Sequence, residues 1–189
     1  NPTAAKIGDV KAHMNLTARE NELDMTISLD NTDSIRNAGE IQVGALLQQY
    51  NNKPQANIHI QPTEIVLNDS IWTINESDII YTVAEKKMDI RSFSINTDFQ
   101  RIAADGIAST DPNDSIEVEL QNIDLQYLLG YTEASKAISV QGPLSGWAKI
   151  YGLFAQPMIE ANALLPNAGL NGTYLGDVTA TAYLDREAK

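Results

Sequence analysis

Apolar and polar residues alternate with a period of two along most of this chain. Leu23, Met25, Ile27 and Leu29 interleave with Asp24, Thr26, Ser28 and Asp30, and Ile116, Val118 and Leu120 interleave with Glu117 and Glu119. The same rhythm recurs at Ile58 and Ile60, at Ile65 and Leu67, at Ile79, Tyr81 and Val83, and at Phe93 and Ile95. Successive side chains of a strand point to opposite faces, so each segment predicts a strand with one apolar and one wet face. Turn-forming clusters separate these runs: "DNTDS" at 30–34, "YNNKP" at 50–54, "NDS" at 68–70, "NES" at 75–77 and "DPNDS" at 111–115. About a dozen strands joined by short connections make an antiparallel meander the economical topology.

Two segments depart from the alternation. Val43, Leu46, Leu47 and Tyr50 have helical spacing, which predicts a helical turn or an irregular strand over 43–50. "DLQYLLGY" at 124–131 predicts a short helix capping the strand before it. Past residue 132 small residues alternate with apolar ones, and Gly142, Pro143, Gly146 and Gly152 mark strand starts, tight turns or close backbone approach. The expected organisation is a first β-sheet unit over 1–132 and, over 133–189, the start of a next repeat unit continuous with it.

Composition narrows the function classes. The 189 residues are 43% hydrophobic and 20% charged, which is ordinary for a chain that buries a core. A net charge of −12, with the basic residues never clustered, argues against nucleic acid and against electrostatic docking on an anionic membrane. No apolar run reaches the ~18 residues that predict a membrane-crossing helix. The chain has no cysteine, which excludes disulfides, thiolate zinc sites and cysteine nucleophiles and is compatible with a bacterial envelope.

Candidate chemistry is sparse. The two histidines, His13 and His59, fall among strand residues without a readable triad or metal spacing. Asp111, Pro112, Asn113 and Asp114 could suggest a calcium loop, but a turn between strands accounts for them more simply. Glu117 and Glu119 could suggest a glycosidase pair and read instead as the wet face of a strand. Trp72 and Trp147 could stack on sugars and read instead as packing residues. "GPLSG" at 142–146 lacks the lysine of a phosphate-binding loop. No enzyme, cofactor or metal is expected.

The order of motifs over 141–185, "QGPLSGWAKIYGLFAQPMIEANALLPNAGLNGTYLGDVTATAYLD", resembles a recurring block of the TamB family, within the AsmA-like group of bacterial envelope proteins. The matching residues are Gly142, Leu144, Ser145, Gly146, Gly152, Pro157, Asn167, Gly176 and Asp177. "EIVLNDSIWTINESDIIYT" and the Gly106-centred series that follows resemble the family's strand, turn and strand succession. The resemblance implies a long curved antiparallel sheet wrapped like a taco around an apolar trough. It further implies an internal fragment of a periplasmic protein whose parent is anchored in the inner membrane. Such a protein would carry phospholipid acyl chains between inner and outer membrane, with an outer-membrane barrel-assembly protein of the TamA/BamA type as partner.

For that trough the candidate lining residues are Ile65, Leu67, Ile74, Ile79, Tyr81, Val83, Phe93, Ile95, Ile116, Val118 and Leu120. Alternation alone is equally compatible with a closed β-sandwich. It also allows a structural or protein-binding β module that assists outer-membrane protein assembly by pairing an exposed edge. One further pattern bears on organisation. "IGDVKAHMNL" at 7–16 returns as "LGDVTATAYL" at 175–184, with five of ten positions identical at an offset of 168 residues. The chain is therefore expected to begin inside one repeat and end inside the next.

Overall fold

The computed structural model describes residues 11–30, 36–125 and 139–184. They form one antiparallel sheet of 14 strands rather than two packed sheets. The strands are β1 (Lys11–Arg19), β2 (Glu22–Asp30), β3 (Ala38–Tyr50), β4 (Lys53–Ile60), β5 (Thr63–Leu67), β6 (Ser70–Ile74) and β7 (Ser77–Thr82). After a single 3-10 turn at Val83–Glu85 come β8 (Lys87–Asn96), β9 (Arg101–Ala108), β10 (Ser115–Asp124), β11 (Val140–Gln141), β12 (Pro143–Tyr151), β13 (Met158–Leu170) and β14 (Thr173–Leu184). Eleven of them lie abreast in the order β1-β2-β3-β4-β7-β8-β9-β10-β12-β13-β14.

The asparagine-bearing clusters reverse the chain by a shared local device. Asn51 and Asn52, Asn68 and Asp69, and Asn171 and Gly172 all have positive φ, and each pair forms a two-residue hairpin loop. Positive φ at both central residues gives the turn the twist that flanking strands need, and Asn, Asp and Gly tolerate it. "NES" behaves differently from its expected role as a turn. β4 and β5 run in the same direction beside β3, and β6 and β7 run in the same direction beside β8. Gln61–Pro62 and Asn75–Glu76 are therefore kinks in one long hairpin, not reversals. The segment 43–50 is strand: Val43, Ala45 and Leu47 turn one way while Leu46 and Tyr50 turn the other. Apolar residues on both sides of this strand created the helical spacing. The predicted helix lies outside the described residues beyond Leu125, and so does the boundary at 132–133. β10 pairs with β12, so the strands on either side of that stretch share one sheet.

The sheet is rolled. Leu29 on β2 and Leu144 on β12 both pack against the same buried cluster of Ile65, Trp72, Ile74 and Ile123. Seven strand spacings separate β2 from β12, a distance of about 34 Å in a flat sheet. Both can touch one cluster only if the sheet curls with that face inward.

Bulges supply curvature. The register shifts at Arg91–Ser92, at Gln121–Asn122 and at Pro166–Asn167. Ser92, Asn122 and Asn167 all have positive φ there. Each bulge is held by a side chain from the neighbouring strand that accepts its backbone N–H: Asp105 for Ser92, Ser145 for Asn122, and Asp177 for Asn167, each at 2.9 Å. An extra residue on one strand bends it and increases twist, and repetition across the sheet accumulates into a trough.

Candidate functional site

Cross-strand partners in an antiparallel ladder project to the same face, so the register maps the concave surface directly. Met14 faces Ile27, Ile27 faces Ile41, and Val43 faces Ile60. Ile58 faces Ile79, Ile79 faces Ile90, and Phe93 faces Ala104. Ala104 faces Val118, Ile116 faces Ile150, Ile150 faces Ile159, and Ile159 faces Leu184. From β1 to β14 the inward row is apolar without a charged side chain in this chain of pairs. Among the described residues no second sheet or helix covers it, and only seven hydrophobic side chains are buried.

The register brings ten of the eleven expected lining residues to this face. Ile79 and Tyr81 lie on β7, Phe93 and Ile95 on β8, and Ile116, Val118 and Leu120 on β10. Ile65, Leu67 and Ile74 come from the β5–β6 hairpin, joined to the same face through Gly39 opposite Ile65 and Ile95 opposite Ile74. Val83 is displaced. It sits in the 3-10 turn beyond β7, half exposed, and lines a shallow apolar hollow of about 490 Å³ with Leu47, Pro54 and Ala56.

The two ends of the trough differ. At the hairpin end Ile65, Trp72, Ile74 and Ile123 are buried, with Phe93, Ile95, Ile102 and Leu120 packed around them. That end is closed by protein. At the other end Leu47, opposite Ala56, is half exposed, and the trough is open there.

Residues missed by the sequence reading are as informative as those found. Leu29, Ile41, Ile60 and Ile102 pack at the closed end, and Trp72 and Ile123 are central to it. The alternation already marked Leu29 and Ile60. Trp72 follows from the same parity as Ile74, whereas Ile123 lies one step past a bulge, which shifts the parity and hides it.

The opposite face is polar and ion-paired. Glu117 lies 3.1 Å from Lys149 and Glu119 lies 2.8 Å from Arg101. Arg101, Asp105, Glu117 and Glu119 border a hollow of about 510 Å³ over the β8 bulge. Hydrogen bonds from Gln121 and then Arg101 hold the Glu119 carboxyl below its ordinary pKa. A glycosidase acid needs the opposite shift. Asp105 accepts the Ser92 N–H and is thereby committed to the bulge. Trp147 is outward and partly exposed, with the Lys149 ammonium 5.9 Å from its ring centre.

His59 stands on the same outer face, 2.9 Å from Asp78 and 3.5 Å from Glu76, while His13 projects outward from β1 opposite Ser28. Asp111 and Asp114 serve their turn, accepting hydrogen bonds from Asn113 and Ser109 respectively. No group of three or more potential metal ligands occurs among the described residues. Comparison with known proteins finds no matching family model, no matching curated protein and no matching solved structure, so the geometry alone describes this trough.

Proposed function

We propose that this chain is a non-enzymatic segment of a TamB-like periplasmic protein whose trough carries phospholipid acyl chains between the inner and outer membranes. The observation that supports the reading is the uncharged apolar row crossing eleven strands with one side uncovered. Each methylene moved from water onto such a surface gains about 0.8 kcal/mol, so acyl chains are held without any polar recognition. A surface of near-uniform chemistry contains no deep well, and a chain can slide along it. Head groups remain in water at the open side. The ion-paired acidic outer face keeps the conduit soluble and off anionic bilayers. Carriage of this kind uses no catalytic residue and no cofactor.

The experiment places a photo-reactive amino acid at Val118 or Ile79, on the concave face, or at Glu117 on the outer face. The protein is then purified from bacterial envelopes and cross-linked lipid is identified by mass spectrometry. Acyl adducts at Val118 and Ile79 in several-fold excess over Glu117 are expected. Equal labelling on both faces, or none, overturns the reading.

A second reading, a strand-pairing module that supports outer-membrane protein assembly with a TamA/BamA-type partner, is favoured by one observation. The 12-residue β14 pairs on one side only among the described residues.

A further inference from the structure

At the open end of the trough the β3–β4 turn and the 3-10 turn stand side by side, and their two faces carry unlike chemistry. On the inner face Leu47, Pro54, Ala56 and Val83 line the apolar hollow of about 490 Å³. Leu47 and Val83 are each 51% exposed there. On the outer face Lys53, Lys87 and Arg91, with Glu85 and Asp89, border a second hollow of about 460 Å³. The two lie back to back across the strand ends. Gln48 and Gln55 border both, Lys53 is followed directly by Pro54, and Val83 lies two residues before Glu85. The thickness of one strand therefore separates an apolar bed from a cluster of cations.

Charge sets this outer hollow apart. The chain carries −12 overall and its basic residues are scattered along the sequence, yet the fold gathers Lys53, Lys87 and Arg91 here against two acids. The hollow over the β8 bulge has the reverse balance, with Arg101 against Asp105, Glu117 and Glu119. The lysines are loosely committed: half-exposed Lys53 pairs with Glu85, and Lys87 lies 3.5 Å from Asp114. Exposed pairs contribute little, so a more highly charged anion can take the place of a carboxylate. Neutral donors stand beside the cations. Gln48 donates one amide hydrogen to Gln55 at 3.3 Å, and Gln55 donates one to Thr82 at 3.4 Å. Each amide nitrogen carries two hydrogens, which leaves one of each for a ligand.

We infer that this rim is a head-group site for a glycerophospholipid. The phosphate sits at Lys53 and Lys87 on the outside, and the first methylenes of the acyl chains lie on Leu47, Ala56 and Val83 inside. The inference rests on the reading of the trough as an acyl-chain conduit and gives that conduit a gripping point at its open end. A lysine ammonium is a compact point charge suited to phosphate. Neither half suffices alone. Free phosphate gains only exposed contacts that salt screens, and an uncharged lipid gains only the apolar bed. A molecule with both groups joined by a short glycerol link spans the rim. Further along the trough the head group meets no such cations, and the chains slide.

The test compares phosphatidylglycerol with a diacylglycerol of the same acyl chains, which lacks the phosphate. A photo-reactive amino acid at Val83 reads the rim, and one at Val118 reads the trough. In low salt, phosphatidylglycerol is expected to label Val83 several-fold more than diacylglycerol does. Lys53→Gln/Lys87→Gln should abolish that preference and Lys53→Arg/Lys87→Arg should keep it, with diacylglycerol labelling at Val118 unchanged in both. Three results overturn the rim site while lipid at Val118 upholds the conduit. They are equal labelling of Val83 by the two lipids, a preference that survives the glutamine pair, and loss of lipid from Val83 to inorganic phosphate at the lipid's own concentration. Absence of either lipid from Val118 overturns both readings.

Discussion

The β5–β6 hairpin and the β13–β14 edge are built from the same alternating pattern and end in opposite states. In the hairpin, Ile65, Trp72 and Ile74 are almost entirely buried against strands from both sides of the trough. At the edge, Val178 is 37% and Leu184 52% exposed although both occupy the inward row. Side-chain parity therefore assigns a residue to a face. Burial depends on what stands across the trough, and only the kinked hairpin brings an apolar surface to meet its own sheet.

Four predictions probe that contrast. The largest concerns Trp72. Replacement by alanine in the closed end is expected to cost about 3–5 kcal/mol, as for other large buried aromatics. Leu184→Ala at the open edge should cost about 0.5 kcal/mol or less, as for exposed positions. Urea midpoints read both, and comparable losses would mean that the edge is covered rather than open.

The second prediction concerns close backbone approach at the bulges. Gly106 has φ +118°, and a Cβ there would stand 2.4 Å from the Ser115 carbonyl oxygen. Gly106→Ala should destabilise by about 1–3 kcal/mol through strain at a left-handed position. A midpoint unchanged by this substitution would show that the β9–β10 approach is looser than described.

Third, removal of a bulge cap should act locally. Asp177→Ala leaves the Asn167 N–H without its acceptor, at a cost of about 1 kcal/mol. Hydrogen exchange should accelerate at Asn167 and along β14 while the β5–β6 hairpin keeps its protection. Uniform acceleration would remove the distinction between the two regions.

The smallest effect is electrostatic. Because the folded pKa of Glu119 is lowered, its contribution is full above the ordinary glutamate pKa and is lost as the pH falls through the lowered value. Lys149, raised by the hydrogen bond that it donates to the Glu117 carboxylate, contributes below the ordinary lysine pKa and loses that contribution as the pH rises through the raised value. Both are exposed pairs with small effects. Glu119→Gln should flatten the acid limb of the urea-midpoint profile slightly, and Lys149→Met the alkaline limb. A steep acid limb that survives Glu119→Gln would point to other carboxylates.

Much of the fold was legible because strand periodicity is local. Ten of the eleven expected lining residues lie on one face because each belongs to a run whose parity is unbroken. Val83 escaped because the strand stops at Thr82, where the 3-10 turn begins. Ile123 escaped because the bulge at Gln121–Asn122 resets the parity between Leu120 and itself. "NES" was misread because a polar triplet can kink a hairpin as readily as reverse it, and local chemistry does not distinguish the two. The motif residues of the C-terminal block acquired a physical role. Ser145 and Asp177 cap bulges, and a Cβ on Gly146 would lie 2.2 Å from the Asn162 carbonyl oxygen.

The sequence by itself determined the strands, their two-faced character, the paired turn residues and the recurrence of one strand 168 residues later. These depend on neighbours in the chain. Whether the apolar faces meet in two sheets or roll into one trough depended on register and bulges, which join residues far apart in sequence. Tertiary structure alone decided that one end is sealed by a hairpin and that β1 and β14, the recurring strand, stand at the two edges of the described part of the sheet. Distant contacts fix curvature and edge position, and no local pattern carries them.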